Sequence, residues 1–290
     1  KPIEEIPSNK SALAQYARFA KKNTKLADTL RFIDLIRSVF AVPAVFDPYP
    51  KLMRDHQRVS EKQLARNGYN LSSTLNSLHI TVTLTPKNGP PLTLGPDSEG
   101  STVSRILRRI KHLPDEPFVR FVFDRTKSGD VMVGFSTPEG GSPVYARVLS
   151  DGTLRALAVL TALETHGNGQ RLILEEFDNG IHPSRVSILT EAIFDCSKRH
   201  NIHVIATTHN PATLNALTPE QLDSVILTVH DHETHNAKLL PLRELPGYID
   251  FIEQGRLGDL VTQRVYEKHL VPDYEKRRAE RIQKSFANLP

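Results

Sequence analysis

One residue in 290 is cysteine, Cys196. A single thiol excludes an internal disulfide framework and fits a reducing compartment, so a cytoplasmic protein is expected. Cys196 lies in a helical pattern between Phe194 and Ser197, where a buried apolar thiol is expected. No run of about 18 apolar residues occurs, so no membrane-spanning helix is expected. The first apolar stretch, residues 30–45, is broken by Asp34, Arg37 and Pro43, and no signal peptide is expected there. Internal repeats and low-complexity tracts are lacking too, which excludes solenoids and arrays. No Gly-x-Ser-x-Gly elbow is present, which removes the hydrolases built on it. Nor does Gly-x-x-x-x-Gly-Lys-Ser/Thr occur, so these residues cannot form a phosphate loop of that kind. The nearest glycine-rich run, Gly140-Gly141-Ser142, has no lysine and lies just after Pro138.

A hydrophobic share of 39% against 24% charged is that of an ordinary globular chain, long enough for one large domain or two modest ones. The net charge of +4 is concentrated in two runs, residues 274–284 and 105–111. Either could touch a nucleic-acid backbone. A solvated helix face is the preferred reading of both, because aromatic stacking partners are sparse around them. The chain opens on Lys1, which fits a piece of a longer protein and equally the removal of a tag.

Apolar periodicity predicts a helix over 8–40, ended by Pro43, Pro48 and Pro50, with residues 45–50 as a proline-rich loop. A helix is expected at 72–78, a short strand at 80–85, a loop at 86–100 and a basic amphipathic helix at 101–112. Two β-branched runs, 118–123 and 130–135, flank Lys127-Ser128-Gly129 and predict an antiparallel hairpin. From Ser150 onward helices and short apolar strands alternate: helix 153–164, strand 171–174, helix 183–199, strand 203–207 and a short helix 211–217. Such alternation predicts a parallel sheet buried on both faces. Strands 224–229 and 238–242 form a second hairpin. Its tip, residues 230–235, carries three histidines and is read as a polar turn rather than a metal site.

Three segments carry candidate chemistry. In Leu149-Ser150-Asp151-Gly152-Thr153, Ser150 is a good helix cap and Gly152 permits close backbone approach. The helix that begins there points its positive end at whatever sits beside it, which suits a phosphate. In Leu172-Ile173-Leu174-Glu175-Glu176, an apolar strand ends in two carboxylates, at the edge where α/β proteins bind ligands. Successive strand residues face opposite ways, so the two can serve different partners. In Ile205-Ala206-Thr207-Thr208-His209, a second apolar strand ends in polar residues and a histidine.

In this order the three segments resemble the signature motif, the Walker B strand and the switch histidine of ABC-type ATPases. Phe177-Asp178-Asn179-Gly180-Ile181-His182-Pro183 is similar to the family's Glu-Pro-Glu-Asn-Gly-Leu-His-Pro run, its D-loop equivalent. With Gly255-Arg256-Leu257-Gly258-Asp259-Leu260, these segments are similar to the AAA_21 group, relatives of the RecF, chromosome-maintenance and overcoming-lysogenization-defect ATPases. The resemblance implies an α/β fold: an ABC-ATPase-like head lobe with a largely parallel sheet flanked by helices, plus a helical N-terminal subdomain. It implies a mainly helical part at 1–115, the lobe at 116–245 and a helical basic appendix at 246–290. It implies Glu176 as general base, His209 beside the attacking water and Glu175 on Mg²⁺. Ser150, Asp151, Gly152, Thr153, Asp178 and Asn179 would bind nucleotide. Asp151 stands where many members have glycine, and Glu175 where aspartate is usual. The activity implied is that of an ATP- and Mg²⁺-dependent switch that pairs two heads as a homodimer or higher homo-oligomer. An upstream P-loop lobe would complete it, and without that lobe the chain should bind ATP poorly and not hydrolyse it. A nuclease or toxin partner, in anti-phage defence or DNA repair, is expected with it. A non-catalytic scaffold with the same fold is the alternative.

Overall fold

The computed structural model describes residues 43–59, 63–79, 82–84, 92–95, 98, 100–114, 116–138, 140–230, 235–271, 274, 278–280 and 283, with 82–84 and 92–94 in backbone only. The helix expected over 8–40, the tip 231–234 and most of the basic run 274–284 lie outside these residues.

The sheet that organises the lobe is parallel. It runs β1 (Ala44–Phe46), β7 (Arg171–Leu174), β8 (His203–Ala206), with β7 in the middle. Ala44 pairs with Leu172, and Leu172 with Val204. Leu172 and Leu174 are fully buried, as a central parallel strand requires. Strand β1 falls in the stretch read as a proline-rich loop. Pro43 and Pro48 bracket it rather than interrupt it, so its own N–H groups stay free to pair. All three strands point the same way, and their carboxyl ends share one edge.

Between β1 and β7 the chain builds several smaller elements. These are α1 (Leu71–Leu78), a hairpin of β2 (Val82–Leu84) and β3 (Leu92–Leu94), α2 (Thr102–Lys111), and an antiparallel sheet of β4 (Arg120–Arg125), β5 (Val131–Ser136) and β6 (Val144–Tyr145). β3 lies in the expected loop 86–100. The β4–β5 pair is the expected hairpin, in register Phe121 with Phe135. Helix α3 (Asp151–Thr165) is the hydrophobic centre of the molecule. Eleven of its residues are buried, from Thr153 to Glu164. Helix α4 (Pro183–His200) crosses from β7 to β8 and ends at Asn201, a left-handed cap. One core takes in Phe46, Leu75, Ile106 and Ile110 together with Phe135, Leu157, Leu172 and Leu189, on both sides of residue 115.

A second core lies beyond β8. It comprises α5 (Pro211–Asn215), the hairpin of β9 (Ile226–His230) and β10 (Ala237–Pro241), α6 (Tyr248–Ile252) and α7 (Leu257–Thr262). Leu227, Leu240, Leu242, Phe251 and Leu260 fill it, and Leu214 of α5 packs against it. Gly258 is where α7 meets α5. Its N–H donates to Asn215 Oδ1 at 2.7 Å. A Cβ there would overlap the Pro211 carbonyl oxygen and lie 2.7 Å from its carbon. Backbone cannot yield as a side-chain tip can, so Gly258→Ala should cost about 2 kcal/mol. Calorimetry should show a melting temperature lower by about 4–8 °C. An unchanged value would mean the two helices do not meet this closely.

Among the described residues no helix is long and apolar enough to cross a membrane.

Candidate active site

The carboxyl edge of the parallel sheet gathers the charged groups. β7 ends at Leu174, and the next N–H, of Glu175, donates to Phe46 O of β1 at 3.0 Å. The Glu175 carboxylate is half exposed and meets Arg66 Nη2 at 3.3 Å. Glu176 then leaves the strand with φ of +40°, a left-handed conformation rare for a residue with a side chain. Three contacts hold it there. Its N–H donates to Thr207 Oγ1 at 3.0 Å, its carbonyl accepts from the Asn179 N–H at 2.9 Å, and its Oε2 accepts from Asn179 Nδ2 at 3.2 Å. His209 comes from the end of β8. Its Nε2 is 3.9 Å from Glu176 Oε1, and both side chains are open to solvent, at 87% and 53% exposure. A carboxylate and an imidazole therefore border one accessible volume.

Asp178 faces the other way. It is buried, and its Oδ2 accepts from Thr208 Oγ1 at 2.5 Å and from Thr213 Oγ1. The expected nucleotide-binding set is thus divided: Asn179 braces Glu176, while Asp178 is turned into the protein. Arg155, from the second turn of α3, lies beneath this edge. Burial lowers the pKa of its guanidinium, opposed by the charges of Asp47, Glu176, Asp151 and Asp178. Its Nη1 is 4.0 Å from Asp47 Oδ1 and has no hydrogen-bond partner among the described residues.

A second locus lies at the start of α3. Ser150 caps the helix by accepting the Thr153 N–H at 3.0 Å. Gly152 packs on the loop after β7, where an added Cβ would lie 3.0 Å from Gly180 O. His182 caps α4 and accepts the Ser184 N–H at 3.3 Å. Two long helices thus open onto one hollow, lined by Ser150, Gly152, Gly180, Ser184 and Arg185 among others. Converging helix N-termini and an arginine suit an anion. Asp151, also at its rim, is drawn to Arg54 Nη2 at 2.5 Å, which offsets its charge. Arg54 Nη1 also donates to the Leu149 and Arg147 carbonyls at 2.7 and 2.9 Å, fixing the approach to the helix. Thr153 Oγ1 donates to Glu116 Oε1, and Arg185 Nη1 meets the same oxygen at 2.8 Å.

Arg54, Glu116, Arg155 and Arg185 escaped the sequence reading. Arg155 leaves the clearest trace there, a lone charge in the apolar run from Leu154 to Leu163. Of the basic run 105–111, Arg105 pairs with Glu164 at 2.7 Å and Arg109 with Asp195, so half of its arginine and lysine residues face carboxylates.

A family model described as "AAA domain, putative AbiEii toxin, Type IV TA system" matches residues 41–215, more than half of the chain. The match begins just before β1 and ends with α5, so it spans the parallel sheet and both helix N-termini. No curated protein matches the chain. A mixed α/β fold with helices flanking a parallel sheet, and carboxylates at its carboxyl edge, agrees with an ATPase-like domain that uses nucleotide. The chain belongs to the AAA_21 family of AAA domains.

Proposed function

We propose that this chain is the part of an ATP-hydrolysing switch that carries the general base and the signature helix, in a molecule that works by nucleotide-dependent pairing of two heads. The observation that carries the reading is the approach of Glu176 and His209 to 3.9 Å at adjacent parallel strand ends, both open to solvent, with Glu176 braced by Asn179 and Thr207.

Mg²⁺ fits the donors present. Among the described residues no cluster of three or more His, Cys, Asp or Glu could hold a metal by itself. Mg²⁺ ordinarily needs only one or two carboxylates beside phosphate oxygens and water. Glu175, half exposed at the end of β7, offers one. Bound there, Mg²⁺ would supply neutralisation of charge on the β- and γ-phosphate oxygens. Glu176 would orient the attacking water and accept its proton. His209, bordering the same volume, would hold a hydrogen bond near that water. The N-terminus of α3, with Ser150, Gly152 and Thr153, would receive the γ-phosphate presented by the second head. The Asp151–Arg54 pair removes the repulsion a free carboxylate would create there.

The phosphate loop this reading requires would come from a further lobe. The outer edge of β8 is unpaired among the described residues, and Ile205 on it is 62% exposed. An added strand would cover it. The family's toxin–antitoxin description is in keeping with a partner protein, which on this reading is a toxin or nuclease effector in anti-phage defence or DNA repair. A cytoplasmic location and a homodimer or higher homo-oligomer go with it. Direct DNA contact through 105–111 is less favoured, since Arg105 and Arg109 are paired internally.

The non-catalytic scaffold draws support from one observation: the Asp178 carboxylate and the Thr153 hydroxyl are both engaged within the protein. Light scattering on the intact protein separates the two. Mg²⁺–ATP should double the mass under the switch reading. A mass indifferent to nucleotide would leave the scaffold.

A further inference from the structure

We infer that Asp178 is a positioning residue: through Thr208 it clamps the switch loop to the loop after β7, and so sets His209 against Glu176. The inference rests on the reading of Glu176 and His209 as the reacting pair, and it departs from a nucleotide-contact role for Asp178.

His209 has little to fix it. Its side chain is 87% exposed, and its near neighbour is Glu176 at 3.9 Å, beyond hydrogen-bond range. Its position must therefore be set by the backbone on either side. Two threonines hold that backbone, each to a different residue of the opposite loop. Thr207 donates its N–H to Leu174 O at 2.9 Å and accepts the Glu176 N–H on its hydroxyl. Thr208 donates its hydroxyl to Asp178 Oδ2 at 2.5 Å, and the hydroxyl oxygen in turn accepts the Asn210 N–H at 3.0 Å. The Thr208 hydroxyl thus ties Asp178 to the backbone on the far side of His209. Thr213, buried in the first turn of α5, donates to the same Asp178 Oδ2. Asn210 caps α5 by accepting the Ala212 N–H at 2.9 Å.

The carboxyl group is suited to this task. It accepts hydrogen bonds from two hydroxyls that come from separate segments. Asp178 is 3% exposed, so the clamp is shielded from competing water. The left-handed turn at Glu176 is what lets successive residues diverge, with the Glu176 carboxylate outward and the Asp178 carboxylate inward. The chain thereby links the base and the clamp within three residues. A shift of about 1 Å in a reacting group can cost on the order of 100-fold in rate, so the clamp bears directly on turnover.

The test uses the intact protein labelled with ¹³C-histidine, the His209 ring signal being assigned by its loss in His209→Asn. In the parent, Glu176→Gln should move that signal. The response should survive Thr208→Ser, which keeps the hydroxyl, and vanish in Thr208→Val and in Asp178→Ala. The Asn210 amide should exchange about tenfold faster in Thr208→Val and recover in Thr208→Ser. Turnover in Thr208→Val should fall about 10- to 100-fold with KM for ATP held within about threefold. A ring response that persists without the Thr208 hydroxyl or the Asp178 carboxylate would overturn the inference. So would a raised KM at constant kcat in Asp178→Ala, which marks a ligand contact. If Asp178→Ala does not fold, the two Thr208 variants decide alone. If the intact parent hydrolyses no ATP, the catalytic reading falls, while the ring response and amide exchange still decide whether Asp178 sets the loop.

Discussion

Replacing Glu176 with glutamine should cut ATP turnover by about 100- to 10,000-fold, the span that general-base removal commonly covers. The amide keeps the size and one acceptor of the carboxylate, so Asn179 Nδ2 retains a partner and the left-handed backbone keeps its three contacts. What is lost is the capacity to accept a proton. Nucleotide binding should therefore stay within about threefold, since a change in kcat alone marks an interaction made in the transition state. Heads paired by ATP should persist for longer, because the step that separates them is slowed. Single-turnover kinetics and light scattering read the two effects separately. Undiminished turnover in the variant would remove Glu176 from the role and leave His209 beside a carboxylate of no chemical consequence.

Glu164→Ala should be strongly destabilising. The carboxylate of Glu164 has no exposed side-chain surface and sits where α2, α3 and α4 converge. Arg105 Nε reaches it at 2.7 Å, Arg199 at 2.7 and 2.9 Å through its two amino groups, and His200 Nε2 at 3.2 Å. Burial by itself would raise the pKa of this carboxyl. Hydrogen bonds from Arg199 and Arg105, the charge of Arg105 and a further bond from His200 outweigh burial and hold it at about 2, below the usual 4.5. Removing the carboxylate takes the main partner from two guanidinium groups that remain 24% and 30% exposed; Arg105 keeps Gly100 O and Thr102 Oγ1 and Arg199 keeps Asp195, so the loss stays at the lower end for a buried pair, about 3 kcal/mol. A fall of about 6–12 °C in melting temperature should accompany it.

The pH dependence has a definite sign. A carboxyl whose pKa is lowered by folding stabilises the fold fully above about 4.5 and loses that contribution as pH falls towards about 2. The lost stabilisation is about 3 kcal/mol at most. The gap in stability between parent and Glu164→Gln should narrow across that window, and a gap independent of pH would contradict the assignment. The same cluster pushes the Cys196 thiol up to about 12, through burial and the charge of Glu164. The one thiol therefore stays protonated and inert at neutral pH, in keeping with its place in the core.

Much of the lobe was legible because its signals are local. The run Arg171 to Leu174 is short, apolar and followed by carboxylates. Ser150 and Pro183 mark helix starts. β1 was not legible. Its three residues lie among prolines, and only pairing with β7, more than a hundred residues away, makes them a strand. The site divides in the same way. Glu175, Glu176 and His209 sit at strand ends that pattern alone predicts. Arg54, Glu116 and Arg185 reach the start of α3 through contacts far apart in sequence, which no spacing announces. The direction of Asp178 was hidden for another reason. Alternation along a strand would turn it to the same face as Glu176, but the left-handed residue between strand and loop breaks that alternation.

The joint between the two cores has a mechanical consequence. Helix α5 is capped by Asn210, anchored by Thr213 to Asp178, and pressed through the Pro211 carbonyl against Gly258 of α7. Its Leu214 belongs to the packing of the second core. Close-packed helices do not deform smoothly, so a displacement at residues 207–210 must be carried by α5 as a rigid rotation. A change at His209 would therefore reach the second core through this one short helix.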